Sequence, residues 1–202
     1  CARLPPRRAR MGCHFSDDGL VGLPQALPSG ALLVLDDRVP MAAQDPGRIL
    51  AQLAEALEKF SCTGLLLDFQ QAENAPQREL VRLLTRKLTI PLAAPPAYAV
   101  EGCRLFLPPV AADQAIEEAL SPWAGKKIWL DTAPAAVRLE LTKQGCTCTP
   151  LPRMAASGKF EDSKLCCRYS IETVPNGFQF TLYRDQSCIR ALLEQAAALG
   201  AE

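Results

Sequence analysis

Two hydrophobic periods alternate along the first two thirds of the chain: short apolar runs, and stretches whose apolar residues repeat every three to four positions. Residues 10–15 predict a first strand. A connector rich in Gly, Pro and Ser over 19–30 leads to an apolar run at 31–35 that ends in Asp36-Asp37. Asp45 then stands where an N-cap belongs and Pro46 at the first helical position, with Ile49, Leu50, Leu53, Leu57 and Phe60 on one face. The run 62–70 holds consecutive leucines and is too short for a helix, so it reads as a buried parallel strand. Pro76 opens a second helix with Leu80, Val81, Leu83, Leu84 and Leu88 inward. Residues 90–94 and 103–107 predict further strands, Asp113 a cap for a helix through Ile116 and Leu120, and 127–130 another strand. Strands alternating with helices of this length argue for parallel β/α units, in a barrel or an open sheet.

The pattern changes after Pro134. Residues 137–141 read as a short helix that ends at Gly145, a C′ glycine. Residues 146–151 and 165–173 read as extended. Pro175-Asn176-Gly177 joins the latter to 178–183, a hairpin signal. The last helix, 187–199, turns Ile189, Leu192, Leu193 and Ala196 inward before Gly200.

Charge narrows the function classes. Lys plus Arg and Asp plus Glu number 22 each, and the only basic run is Arg7, Arg8 and Arg10, so no nucleic-acid footprint is expected. No apolar stretch approaches the length of about 18 residues that suggests a membrane span. The nine cysteines are odd in number and dispersed, which favours free thiols in a reducing compartment (cytoplasm or developing spore) over a disulfide framework. Cys146-x-Cys148 with Cys166-Cys167 lacks the spacing and the histidine of a structural zinc site, and neither metal nor cofactor is expected. His14, the sole histidine, reads as a packed or capping residue.

Chemistry concentrates at the end of the strand over 62–70. Asp68 and Gln70 lie two apart, so a strand points both to one side, and barrel strands end where catalytic groups usually sit. This strand resembles the signature D-G-x-D-x-D-x-E of family-18 glycoside hydrolases, with Thr63, Gly64, Leu66, Asp68 and Gln70 at D, G, D, D and E. A second segment, Tyr183 to Gly200, is similar to the family's Y-D-D-P-x-S-I-R-x-K-x-x-x-A-x-x-x-G at Tyr183, Asp185, Ile189, Arg190, Ala196 and Gly200. In that family a small α+β insertion precedes this segment. The nearest likeness is to the spore-associated branch, which cleaves peptidoglycan-like glucosamine polymers.

The resemblance implies an α/β fold, a (β/α) TIM-type barrel, complete or incomplete. It implies one barrel-like domain over 1–202 with an α+β insertion at 142–180. It also implies a glycan ligand, an N-acetylglucosamine polymer, or a cell-envelope or spore protein as partner. The departures count as much. Gln70 occupies the place of the proton-donating Glu, and a carboxamide has no transferable proton. The strand that should carry the family's tyrosine reads Arg104-Leu-Phe-Leu-Pro-Pro109 and has none. The expectation is a non-catalytic relative with Asp68 and Gln70 as a vestigial pair. Its candidate ligand-binding set is Asp36, Asp37, Asp68, Gln70, Tyr98 and Trp129. The alternatives are a hydrolase using other carboxylates (Asp36, Asp37, Asp68 or Glu73) and a purely structural or assembly protein. Only 6% of residues are aromatic, few for stacking sugar faces.

Overall fold

A computed structural model describes residues 9–41, 45–134, 136–151 and 158–201. Arg7 and Arg8 of the basic run, and Cys1, lie outside them. The chain divides into two compact units, Cys1–Leu107 with Lys127–Trp129, and Pro108–Lys126 with Leu130–Glu202.

The first unit is built on a seven-stranded sheet. Its strands in chain order are β1 (Ala9–Ser16), β2 (Gly19–Val21), β3 (Leu32–Asp36), β4 (Gly64–Asp68), β5 (Leu92–Ala94), β6 (Arg104–Leu107) and β7 (Ile128–Leu130). The spatial order is β2-β1-β3-β4-β5-β6-β7. Successive neighbours from β1 to β6 are parallel, and only β2 is shown antiparallel, folded back on β1 within the expected connector. As the helix between them requires, β3 and β4 are adjacent and parallel, with Leu32 opposite Gly64 and Asp36 opposite Asp68. Helices α1 (Pro46–Lys59) and α2 (Ala75–Lys87) start as the sequence predicts. The Asp45 carboxylate accepts from the Gly47 N–H at 2.9 Å, and Asn74 caps α2 by accepting from the Gln77 N–H at 2.9 Å.

Both helices cover one face of the sheet. There Leu33, Leu35, Leu65, Leu67, Leu92 and Ala94 pack with Ile49, Leu53, Leu80, Val81 and Leu84. The alternate residues, Leu32, Val34, Leu66 and Ala93, form a second buried cluster with Trp129 on the other face. Strong curvature explains that burial. In a flat sheet β4 and β7 would stand three strand spacings apart, about 14 Å. Yet a Cβ built on Gly64 would lie 2.7 Å from Trp129 Cη2 and 2.9 Å from Leu32 Cδ2. The sheet therefore curls around this face, and Gly64 is a glycine because the indole fills the space of its side chain. Among the described residues β2 and β7 remain edges, so the architecture shown is a mixed α/β layer with a mostly parallel, curled sheet and no closed barrel.

The second unit carries α3 (Ile116–Leu120), the strands β8 (Ala136–Thr142), β9 (Gly145–Leu151), β10 (Phe160–Asp162), β11 (Cys167–Val174) and β12 (Gly177–Tyr183), and α4 (Gln186–Ala198). Its five strands form an antiparallel sheet in the order β10-β11-β12-β8-β9. Val174 pairs with Gly177, so the hairpin turn falls on Pro175-Asn176 as expected. The short helix expected over 137–141 is instead strand β8. Val137, Leu139 and Leu141 repeat with period two, and Val137 packs with Cys167, Leu182 and Ala112. Gly145 accordingly begins a strand, and Asp113 caps nothing: the α3 N-cap is Ala115, without a side-chain bond. In α4 the buried residues are Cys188, Leu192 and Ala196, whereas Leu193 is exposed.

The Tyr183–Gly200 segment works as local architecture. The Asp185 carboxylate accepts from the Ser187 and Cys188 N–H groups at 2.9 and 3.0 Å, capping α4. Arg184 is buried, and its guanidinium donates to the carbonyls of Leu165 (2.8 Å), Gln114 (3.0 Å) and Val110, tying three separate segments together.

Candidate functional site

The carboxyl ends of β1, β3 and β4 bring His14, Asp36 and Asp68 into one row, because His14 pairs with Asp36 and Asp36 with Asp68 in register. These residues share the sheet face opposite the helices, the face Val34 and Leu66 occupy one step lower. Beyond the end of β4, Gln70 is exposed and its Nε2 donates to Asp68 Oδ1 at 3.0 Å. The predicted pair is thus physically joined.

Asp36 does not face this pair unpartnered. Arg38 donates to it through Nε to Oδ1 (2.8 Å) and Nη2 to Oδ2 (2.6 Å), a bidentate fork, and its backbone N–H adds a bond of 3.2 Å. The Arg38 hydrogen bonds, helped by the charges of Arg38 and His14, hold the Asp36 carboxyl below the usual carboxylate range against the opposing effect of burial. A general acid needs the reverse shift. Glu73, three residues past Gln70, is ion-paired to Arg78.

Asp37 lies on the other side of the sheet end, 1% exposed. Its Oδ1 accepts from the Gln70 N–H at 2.8 Å, and its Oδ2 accepts from the Gln71 N–H at 3.0 Å and from Gln77 Nε2 at 3.2 Å. The carboxylate holds the loop that presents Gln70 rather than facing solvent. Gln77, wholly buried, passes the network on: its Oε1 accepts from the Tyr98 hydroxyl at 3.0 Å and from Asn74 Nδ2. Tyr98 is buried edge-on against Phe69, ring centroids 5.1 Å apart. Burial, the largest influence, raises its hydroxyl pKa and keeps it a donor.

The tip of the Trp129 indole reaches the first residue of β4, with Cη2 2.7 Å from where a Cβ on Gly64 would lie. The Arg104 guanidinium lies 5.7 Å from its ring centroid, a cation–π contact. The structure therefore brings Asp36, Asp68 and Gln70 together and places Asp37 and Tyr98 directly behind them, while the Trp129 ring meets Gly64 and Arg104. Arg38 joins the site without having been singled out in the sequence, and His14, read there as a packed or capping residue, stands in the row beside Asp36. Arg38 had a signal, two residues after a strand-end Asp, whereas the position of His14 depends on which strand pairs with β3.

The cysteine pairs that adjoin in sequence are held apart. Cys146 and Cys148 lie on β9 and Cys167 on β11, with β8 and β12 between them.

Comparison with known proteins agrees with the curled α/β layer. The putative sporulation-specific glycosylase ydhD of Bacillus subtilis superposes with a TM-score of 0.56 at 9% identity, over 95% of this chain and 87% of that one. The spore cortex-lytic enzyme SleL of Bacillus cereus superposes with a TM-score of 0.52 at 13% identity, over 96% of this chain. The fold is similar to that of these two proteins. The chain spans less than two thirds of SleL, 62% of its length. No protein-family model and no curated protein sequence matches the chain.

Proposed function

We propose that this chain is a family-18-like glycoside hydrolase domain, its curled sheet a barrel wall, that holds a glycan of N-acetylglucosamine type without cleaving it. The observation that carries the reading is the Asp68–Gln70 pair: an amide hydrogen-bonded to a carboxylate at 3.0 Å, where the resemblance expects an acid beside a carboxylate. Asp68 and the Gln70 carbonyl accept, while the remaining Gln70 N–H and the guanidinium of Arg38 donate, a set suited to sugar hydroxyls and an acetamide. Asp37, Gln77 and Tyr98 keep the Gln70 loop in place from behind. The reading in which another carboxylate serves as the acid is disfavoured, since Asp36 is held ionised by Arg38 and Glu73 is paired with Arg78.

The test pairs turnover with binding. A fluorogenic N-acetylglucosamine oligomer is given to the wild type and to Gln70→Glu, and an unlabelled oligomer is followed by amide hydrogen exchange over 64–71. General acid catalysis is worth about 10² to 10⁴ in rate, so the wild type should show no enzymatic turnover, and the oligomer should slow exchange at Asp68 and Gln70. Wild-type turnover that disappears in Asp68→Ala would overturn the non-hydrolytic reading. The absence of both turnover and protection would overturn the glycan itself and favour a spore or cell-envelope protein as partner.

A further inference from the structure

Strand β9 is an edge of the antiparallel sheet, and it carries two thiols on one side. Cys146 stands opposite Leu141 and Cys148 opposite Leu139, so both share the sheet face of those leucines. Both are exposed and neither is in a disulfide. Five of the other cysteines, Cys13, Cys62, Cys166, Cys167 and Cys188, are buried, and Cys103 is half-buried with its sulfur 3.0 Å from the Thr85 hydroxyl.

We propose that Cys146 and Cys148 form a dithiol site for a soft metal ion of low coordination number, of the copper(I) class. Residues two apart on a strand have Cα atoms about 6.6 to 6.8 Å apart. That is the upper limit for a direct disulfide, which spans about 4.4 to 6.8 Å between Cα atoms. Two metal–thiolate bonds of about 2.3 Å on opposite sides of one ion span about 4.6 Å between sulfurs, a distance that side chains on one face reach by leaning together. Thiolates with no imidazole select soft ions such as copper(I). Among the described residues no group of three or more His, Cys, Asp or Glu is arranged to hold a metal, so the tetrahedral set that zinc requires is lacking here.

The Cys148 Sγ donates to Asp113 Oδ2 at 3.5 Å. A soft cation displaces the protons of the two thiols: two S–H bonds break, two S–metal bonds form, two protons go to solvent, and no electron is transferred. The site is independent of the glycan reading, since it uses none of the same residues.

The experiment is an anaerobic titration of the full chain with copper(I) against bicinchoninate, with the same titration in zinc against a chromophoric chelator. The wild type should withdraw one equivalent of copper(I). Cys146→Ser and Cys148→Ser should each lose that equivalent with unchanged far-ultraviolet circular dichroism, and Cys103→Ser should keep it. Failure of the wild type to withdraw copper(I), or its retention by both serine variants, overturns the site. A zinc equivalent that both serine variants abolish overturns the assignment to a soft ion of low coordination number.

Discussion

Replacing Asp37 with alanine should destabilise the first unit more than any change at the exposed pair it supports. The carboxylate is 1% exposed and accepts three hydrogen bonds, from the Gln70 N–H, the Gln71 N–H and Gln77 Nε2. A hydrogen bond to a charged group contributes about 1.5 to 3 kcal/mol net, and a buried donor left without a partner costs about 1 to 3 kcal/mol. The Gln70 and Gln71 amides can turn partly to water, because that loop is at the surface. Gln77 cannot, being fully buried. Counting the Gln77 amide in full and the loop amides at about half gives about 3 to 6 kcal/mol. For a chain of this size, at about 2 to 4 °C per kcal/mol, the midpoint should fall by about 6 to 24 °C. Urea unfolding read by circular dichroism measures the stability. Hydrogen exchange at Gln70 and Gln71 reads the loop directly and should accelerate under native conditions. Asp37→Asn retains one acceptor oxygen and should lose about half as much. A loss below about 1 kcal/mol in Asp37→Ala, with exchange at Gln70 and Gln71 unchanged, would show that water replaces the carboxylate and that it does not hold the loop.

Gly64→Ala places a methyl group where the contacts to Trp129 Cη2 and Leu32 Cδ2 would be 2.7 and 2.9 Å. Overpacking of this kind costs about 1 to 3 kcal/mol, so urea unfolding should show that loss together with altered Trp129 fluorescence, and an unperturbed variant would refute the curled-sheet packing. Asp185, whose carboxyl is lowered to about 2 chiefly by the Ser187 hydroxyl and then by the Cys188 N–H, should make the second unit acid-sensitive. The folded pKa lies below the unfolded one, so the contribution is fully present above about pH 4 and is lost as pH falls from about 4 to about 2. Partial exposure keeps it small, so Asp185→Asn, which still caps, should change stability little at pH 7 and flatten the acid slope. A slope identical to wild type would refute the assignment.

Much of the first unit is legible in the sequence because its signals are local. Asp45-Pro46 starts α1 through contacts within one turn, and consecutive leucines in β4 need only two flanking layers to be buried. The spacing of Asp68 and Gln70 likewise sufficed to join them, since i and i+2 on an extended chain share a side whatever surrounds them. Residues 137–141 show where locality fails. Five residues hold too few turns to tell a helical from a two-residue period, and pairing with β12 and β9 settles the matter.

The division of labour at the site was decided only in three dimensions. Asp36 and Asp37 look equivalent in the sequence, yet adjacent strand residues face opposite sides. One therefore enters the row with His14 and Asp68, and the other is buried beneath the loop. The partners of Asp37 lie 33, 34 and 40 residues away. Trp129 meets Gly64 only because the sheet curls, a property of strand twist summed over several strands. The sequence alone determined which groups were present: an amide where an acid was expected, few aromatic rings, and thiols in pairs. Tertiary structure decided which of them meet, because a strand sets the side a residue faces, whereas neighbours across the sheet set its company.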